Sequence, residues 1–147
     1  MKRLSILSVL LLSAGACTSQ TVVIQPQLTL APALTVERFL QAANTRDLET
    51  MSRLFGTNDG PIRDTGNRIE IELRMDVIAE ILQHDDYEIV SERRVAGAEF
   101  LSNRIGVDIV LRGRVTIVRD VGFTVVLESP NRWLISVIEL VKITESE

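Results

Sequence analysis

The spacing of apolar residues in this chain changes once, near Tyr87, and that change limits the fold more than any single motif. Before it, apolar residues recur every three to four positions, as on one face of a helix; after it they alternate, as on a half-buried strand. A chain that places its helices first and its strands last lacks the helical crossovers that a parallel sheet needs. The expected class is therefore α+β, with helices packed on one side of an antiparallel sheet.

Three helices are expected. Val36, Phe39, Leu40 and Ala43 share a face, with Thr35 as N-cap. After the polar step Asn44-Thr45-Arg46, Asp47 caps a short helix carrying Leu48, Met51, Leu54 and Phe55, closed by Gly56. The turn-forming run 56–61 is a loop. Asn67 with Glu70 three residues on has the form of a capping box, and Ile71, Met75, Ile78 and Leu82 keep helical spacing, with Val77 and Ile81 widening the face. Residues 69–75 also alternate like a strand; the helical period of 76–82 decides for a helix.

Four strands follow, over 88–95, 104–112, 114–128 and 133–143. Ile105, Val107, Ile109 and Leu111 line one face of the second, and Gly122 marks a bulge or bend in the third. Short turns between the last three make a meander. The core should gather Phe39, Leu40, Met51, Phe55, Met75, Ile78, Leu82, Val107, Ile109 and Val125, and the strand aromatics Phe123 and Trp133 read more readily as core than as pocket lining.

The N-terminus carries a separate signal. Met1-Lys2-Arg3 is basic, Leu4 to Leu12 is apolar, and Ser13-Ala14-Gly15-Ala16 is a run of small residues ending at Cys17. This is the pattern of an export signal, too short for the roughly 20 apolar residues of a membrane span. Ala14-Gly15-Ala16-Cys17 resembles the lipobox of bacterial lipoproteins, with Ala14 where that motif prefers Leu; the same three residues also fit ordinary signal cleavage, and both cuts fall before Cys17. Cys17 is the only cysteine, so no internal disulfide can form, and lipidation would remove an otherwise exposed thiol from an oxidising compartment. The expected organisation is a signal peptide over 1–16, a tether over 17–33 in which 22–24 could add an edge strand, and one domain over 34–147. The resemblance implies a lipid anchor on Cys17, a place in the bacterial cell envelope and, in a double-membraned cell, an outer-membrane position facing the periplasm.

Composition excludes more than it assigns. The net charge of -4 becomes more negative once Lys2 and Arg3 are removed, and the remaining basic residues are scattered among carboxylates. No basic stripe offers itself to nucleic acid. His84 is the only histidine, so a two-histidine metal site is excluded and no metal or cofactor is expected. The run His84-Asp85-Asp86 lies where the third helix should end, a position that the helix dipole explains. No nucleophile elbow, phosphate-binding glycine loop or dinucleotide fingerprint is present. Arg93-Arg94 beside Glu92 reads as an exposed charged edge.

Helix, short helix, long helix and then a bent antiparallel sheet resembles the nuclear transport factor 2-like family, which includes the SnoaL-like cyclases and ketosteroid isomerases. The stretch Val36 to Phe55 is similar to the family's opening, where a helix ends in a polar step and an Asp begins the next helix ahead of an aromatic. The resemblance covers Leu34 to Thr144 and implies a cone-shaped domain of three N-terminal helices on a curved sheet of about four strands. Members range from isomerases to non-catalytic binding modules, so fold alone does not give function. The first expectation is a non-catalytic module that binds a small apolar ligand or an envelope protein. The alternative is an isomerase, cyclase or dehydratase with Asp108 as base and Tyr87 as its hydroxyl partner, set against the plainer reading of Asp108 as a solvated outer-face residue that pairs with a neighbouring Arg. A homodimer is a further possibility, since family sheets often pair.

Overall fold

The computed structural model describes residues 32–129 and 131–146. Cys17, the export signal, and the possible edge strand at 22–24 lie outside the described residues.

Helix α1 spans Pro32–Thr45. Proline suits a first helical position because its ring presets the torsion and its missing N–H has no partner there anyway. The helix thus begins ahead of Thr35, which is buried inside it and is not its cap. Val36, Phe39, Leu40 and Ala43 are all fully buried. At the far end Asp47 N–H bonds to Ala42 O (2.9 Å) and Arg46 N–H to Ala43 O (3.1 Å), with Arg46 left-handed at φ 54°. This is a Schellman close with arginine where glycine is usual. Asp47 then caps α2 (Leu48–Leu54), its carboxylate accepting from the Thr50 N–H at 3.0 Å and the Thr50 hydroxyl at 2.6 Å.

Gly56 does not close α2. That role falls to Phe55, and Gly56 opens a two-residue strand β1 (Gly56–Thr57) paired with β2 (Gly60–Pro61). A Cβ on Gly56 would lie 2.2 Å from the Gly60 carbonyl oxygen, so the backbones approach too closely for any other residue. One turn of helix, α3 (Ile62–Thr65), leads to α4 (Arg68–Ile81). Asn67 caps α4 by accepting from the Ile69 N–H at 2.9 Å, but Glu70 pairs with Arg74 and does not return to the cap.

The strand-like alternation of residues 69–75 has a simple outcome on a helix: it makes two apolar faces. Ile71, Met75, Ile78 and Ala79 are buried, whereas Ile69, Leu73 and Val77 are 71%, 64% and 60% exposed. Val77 therefore does not widen the core face.

Strand β3 (His84–Arg94) begins sooner than alternation predicts and is followed by β4 (Ser102–Leu111), β5 (Ile117–Ser129) and β6 (Arg132–Ile138), all antiparallel in the order β3-β4-β5-β6. A last turn, α5 (Val141–Thr144), occupies the segment expected to end the fourth strand. The register shifts once between Val107 and Ile109 on β4, where Arg119 and Asp120 bulge from β5. Gly122 lies in regular register opposite Gly106, so the bulge is not at the glycine. On the outer edge, β3 carries its own irregularities around Asp85 and Val90. The opposite edge, β6, is met by Phe55 in a parallel bridge to Ile135.

Helices and sheet share one core. All ten residues expected in it are buried together except Phe55, which is half-buried with its ring 6.2 Å from that of Phe39. Phe123 and Trp133 belong to the same core.

Candidate functional site

The C-terminal ends of α1 and α4 meet the start of β3 and the β4–β5 turn at one end of the sheet. Carbonyls in the last turn of a helix lack their usual intrahelical donors. Gln83 satisfies both helices, its amide donating to Ala43 O (2.7 Å) and Ala79 O (3.1 Å) while its carbonyl oxygen accepts from Arg112. The Asn44 side chain pairs with the backbone of His84 as a strand would, donating to His84 O and accepting from His84 N–H, each at 3.0 Å. Asp85 accepts from the Gly113 N–H at 3.1 Å and closes the turn.

His84 is thus the first residue of β3, two residues beyond Leu82, the C-cap of α4. It is 4% exposed, its Nδ1–H donates to Leu82 O at 2.7 Å, and its ring stands edge-on to Tyr87 at 5.3 Å. With Nδ1 as donor, a neutral ring has Nε2 as its acceptor.

A cavity of about 540 Å³ opens at this end. Its floor is apolar, from Ile81, Leu111 and Ile143, and its rim carries Arg46, Glu80, Gln83, Arg112, Arg114 and Thr144. The Arg46 charge is already met by Asp76 (3.2 Å) and Glu80 (2.7 Å). A smaller hollow of about 310 Å³, lined by Gln41, Asn44, Thr45 and residues 84–87, flanks it. Among the described residues no group of His, Asp, Glu or Cys is arranged to hold a metal ion.

Asp108 and Tyr87 are not brought together. Tyr87 stands opposite Ile109 and Glu88 opposite Asp108, so alternation sends the tyrosine to the helix-covered face and the carboxylate to the other. Asp108 serves the bulge: it accepts from the Asp120 N–H at 2.8 Å and pairs with Arg119 at 3.1 Å. Asp120 is left-handed at φ 49°, and its N–H would otherwise leave the ladder unpaired.

A charge cluster on that same outer face was not expected from the sequence. Arg104 lies over the paired glycines Gly106 and Gly122 and donates to Glu139 through Nε and Nη2, both at 2.9 Å, and to Asp120 through Nη1 at 2.9 Å. Lys142 joins from α5 at 2.8 Å from Glu139. The glycines are a requirement of this arrangement: a Cβ on Gly106 would fall 2.2 Å from Asp120, and one on Gly122 would fall 2.3 Å from Glu139. The Arg104 guanidinium, with help from Lys142, holds the Glu139 carboxyl at about 2, down from 4.5; it lowers Asp120 likewise, and these two partners raise Arg104. The readable signal was a glycine at matching positions of adjacent strands, with Arg104 two residues before one of them. Glu139 gave none, since nothing local ties it to Arg104.

Arg93 and Arg94 are exposed on β3, as expected of a charged edge. No known protein family's sequence profile matches the chain, and no curated protein matches it either.

Proposed function

We propose that this chain is an exported lipoprotein, anchored through Cys17, whose domain has the cone shape and nuclear transport factor 2-like fold implied by its opening sequence and serves as a non-catalytic binding module in the cell envelope. The observation that carries the binding part is the cavity between the ends of α1 and α4, the β4–β5 turn and α5. Its volume of about 540 Å³ falls in the range of small-molecule sites, and apolar Ile81, Leu111 and Ile143 give a short floor within a lining that is otherwise polar. It suits a small amphipathic ligand, or a side chain of an envelope protein, with a short apolar part on the floor and polar groups toward the rim.

The non-catalytic part is supported by the fate of the two candidate residues. Asp108 is held by Arg119 and the bulge, on the face of the sheet away from Tyr87. An isomerase, cyclase or dehydratase using that pair would need both groups on one side. Native mass spectrometry of the protein extracted in mild detergent tests the binding claim. A non-covalent adduct is expected on the wild type and should be lost in Leu111→Trp, which fills the floor. Acyl mass on the N-terminal peptide, and release of Cys17→Ala from the membrane fraction, test the anchor. An N-terminal peptide with a free thiol would end that claim.

A further inference from the structure

The β3–β4 hairpin ends in a loop over residues 95–101, closed by the Val95 N–H donating to Ser102 O at 2.9 Å. Val95, Ala96, Ala98, Phe100 and Leu101 make it mostly apolar, and Glu99 is its only charge. Phe100 and Leu101 are 43% and 37% exposed. Just behind them Arg93 and Arg94 are exposed, and no carboxylate pairs with either among the described residues. An apolar tip backed by open arginines is the composition of a segment that sits in a membrane interface. We propose that this loop rests on the bilayer that holds the lipid anchor, with Phe100 and Leu101 at the acyl boundary and Arg93 and Arg94 against lipid phosphates. The inference rests on the anchor reading.

The place where the tether enters the domain selects a lipid surface as the occupant. At the C-terminal end of α1, Asn44 is bonded to His84, which is in register with Leu111 at the cavity end of the sheet. Nearer its start, Phe39 lies beside Phe55, and Phe55 bridges to Ile135. Ile135 is in register with Val125, and through it with Asn103 and Arg94. The helix therefore advances from the cavity end toward the loop, and Pro32 lies about 10 Å beyond Phe39. Residues 18–31, which join Cys17 to Pro32, carry no charge, and a flexible chain of that length spans about 20 Å. Anchor and loop thus come to the same end of the sheet. Arg93 and Arg94 balance Glu92 and Glu99, and Arg132 balances Glu128, so the strand ends there present no net charge to repel an anionic leaflet. The β4–β5 turn at the other end also exposes Val115, but arginines around it are taken: Arg112 by Gln83 and Asp85, Arg119 by Asp108. With the loop on the lipid, the cavity beside that turn faces away from the membrane.

The acylated protein in vesicles of phosphatidylethanolamine and phosphatidylglycerol tests the contact. With Cys17 held in a thioether, Ala98→Cys and Val115→Cys each offer one thiol for an environment-sensitive dye. Both positions are exposed, and circular dichroism would verify that the fold is kept. Dye at 98 should shift to the blue and be quenched by spin-labelled lipid, whereas dye at 115 should do neither. On the Ala98→Cys background, Phe100→Ser with Leu101→Ser should reduce the quenching several-fold, and so should Arg93→Glu with Arg94→Glu. Protein that floats with the vesicles but shows position 98 no more quenched than position 115 overturns the contact alone. Protein that does not float, with an unmodified Cys17 by mass spectrometry, overturns the anchor and the contact together. A blue shift at 98 that appears without vesicles and grows with protein concentration would assign the loop to a second copy and overturn the lipid contact.

Discussion

His84 and Asn44 tie β3 to α1 through side chain and backbone together, and the cost of removing either can be stated in advance. His84→Ala deletes a buried ring, its hydrogen bond to Leu82 O and its contact with Tyr87; a loss of about 2 to 3 kcal/mol is expected in denaturant unfolding. A helix-end histidine, the reading that sequence suggests, would cost less than about 1 kcal/mol. Asn44→Ala should cost about 2 kcal/mol, because it strands both backbone groups of His84. Single residues were legible where one local rule governs them, as with Asp47 capping α2. They were not where the partner is distant: Asn44 and His84 are 40 residues apart, and Arg104 and Glu139 are 35 apart. Asp108 shows the same limit from the other side: alternation put it on the far face from Ile109 with a neighbouring arginine as its expected partner, but could not reveal the bulge of Arg119 and Asp120 that brings them together.

At the scale of elements, α4 and the β4–β5 pair show how a pattern can be right in kind and incomplete in detail. The period of residues 76–82 identified α4, and the alternation of 69–75 that competed with it became a second face. For β4 and β5 the prediction concerns the paired glycines. Gly122→Ala would push into the ends of Glu139 and Arg104, which are flexible and can move, so the cost is loss of the charge cluster at about 1 to 2 kcal/mol and not a backbone clash. Gly122→Ala and Glu139→Gln should therefore be non-additive, with the double variant little worse than the more damaging single one. Fully additive losses in unfolding experiments would show that the glycine and the carboxylate act separately. Gly56→Ala has no such escape, because its Cβ meets the backbone of Gly60, and it should cost more than Gly122→Ala.

For the whole molecule, acid sensitivity follows from Glu139. Its folded value of about 2 lies below its ordinary 4.5, so the charged form is favoured by folding. The stabilisation is fully present above 4.5 and fades as pH falls from there toward 2. Because Glu139 is about a third exposed, the contribution is about 1 kcal/mol, well short of the full linkage value. Wild type should lose that increment between pH 4.5 and 2 relative to Glu139→Gln, measured as the difference of their denaturation midpoints. The core carries far more: Phe39→Ala should cost about 3 to 5 kcal/mol at any pH in that range.

The irregular outer strand bears on how copies of this chain can meet. β3 kinks around Asp85 and Val90 and carries exposed Glu88, Glu92, Arg93 and Arg94, so it cannot lie flat against another strand. Main-chain templating, the route by which sheets grow into fibrils, is obstructed at that edge. Any self-association of this protein would then run through side chains, and should be reversible on dilution and invisible to amyloid-binding dyes.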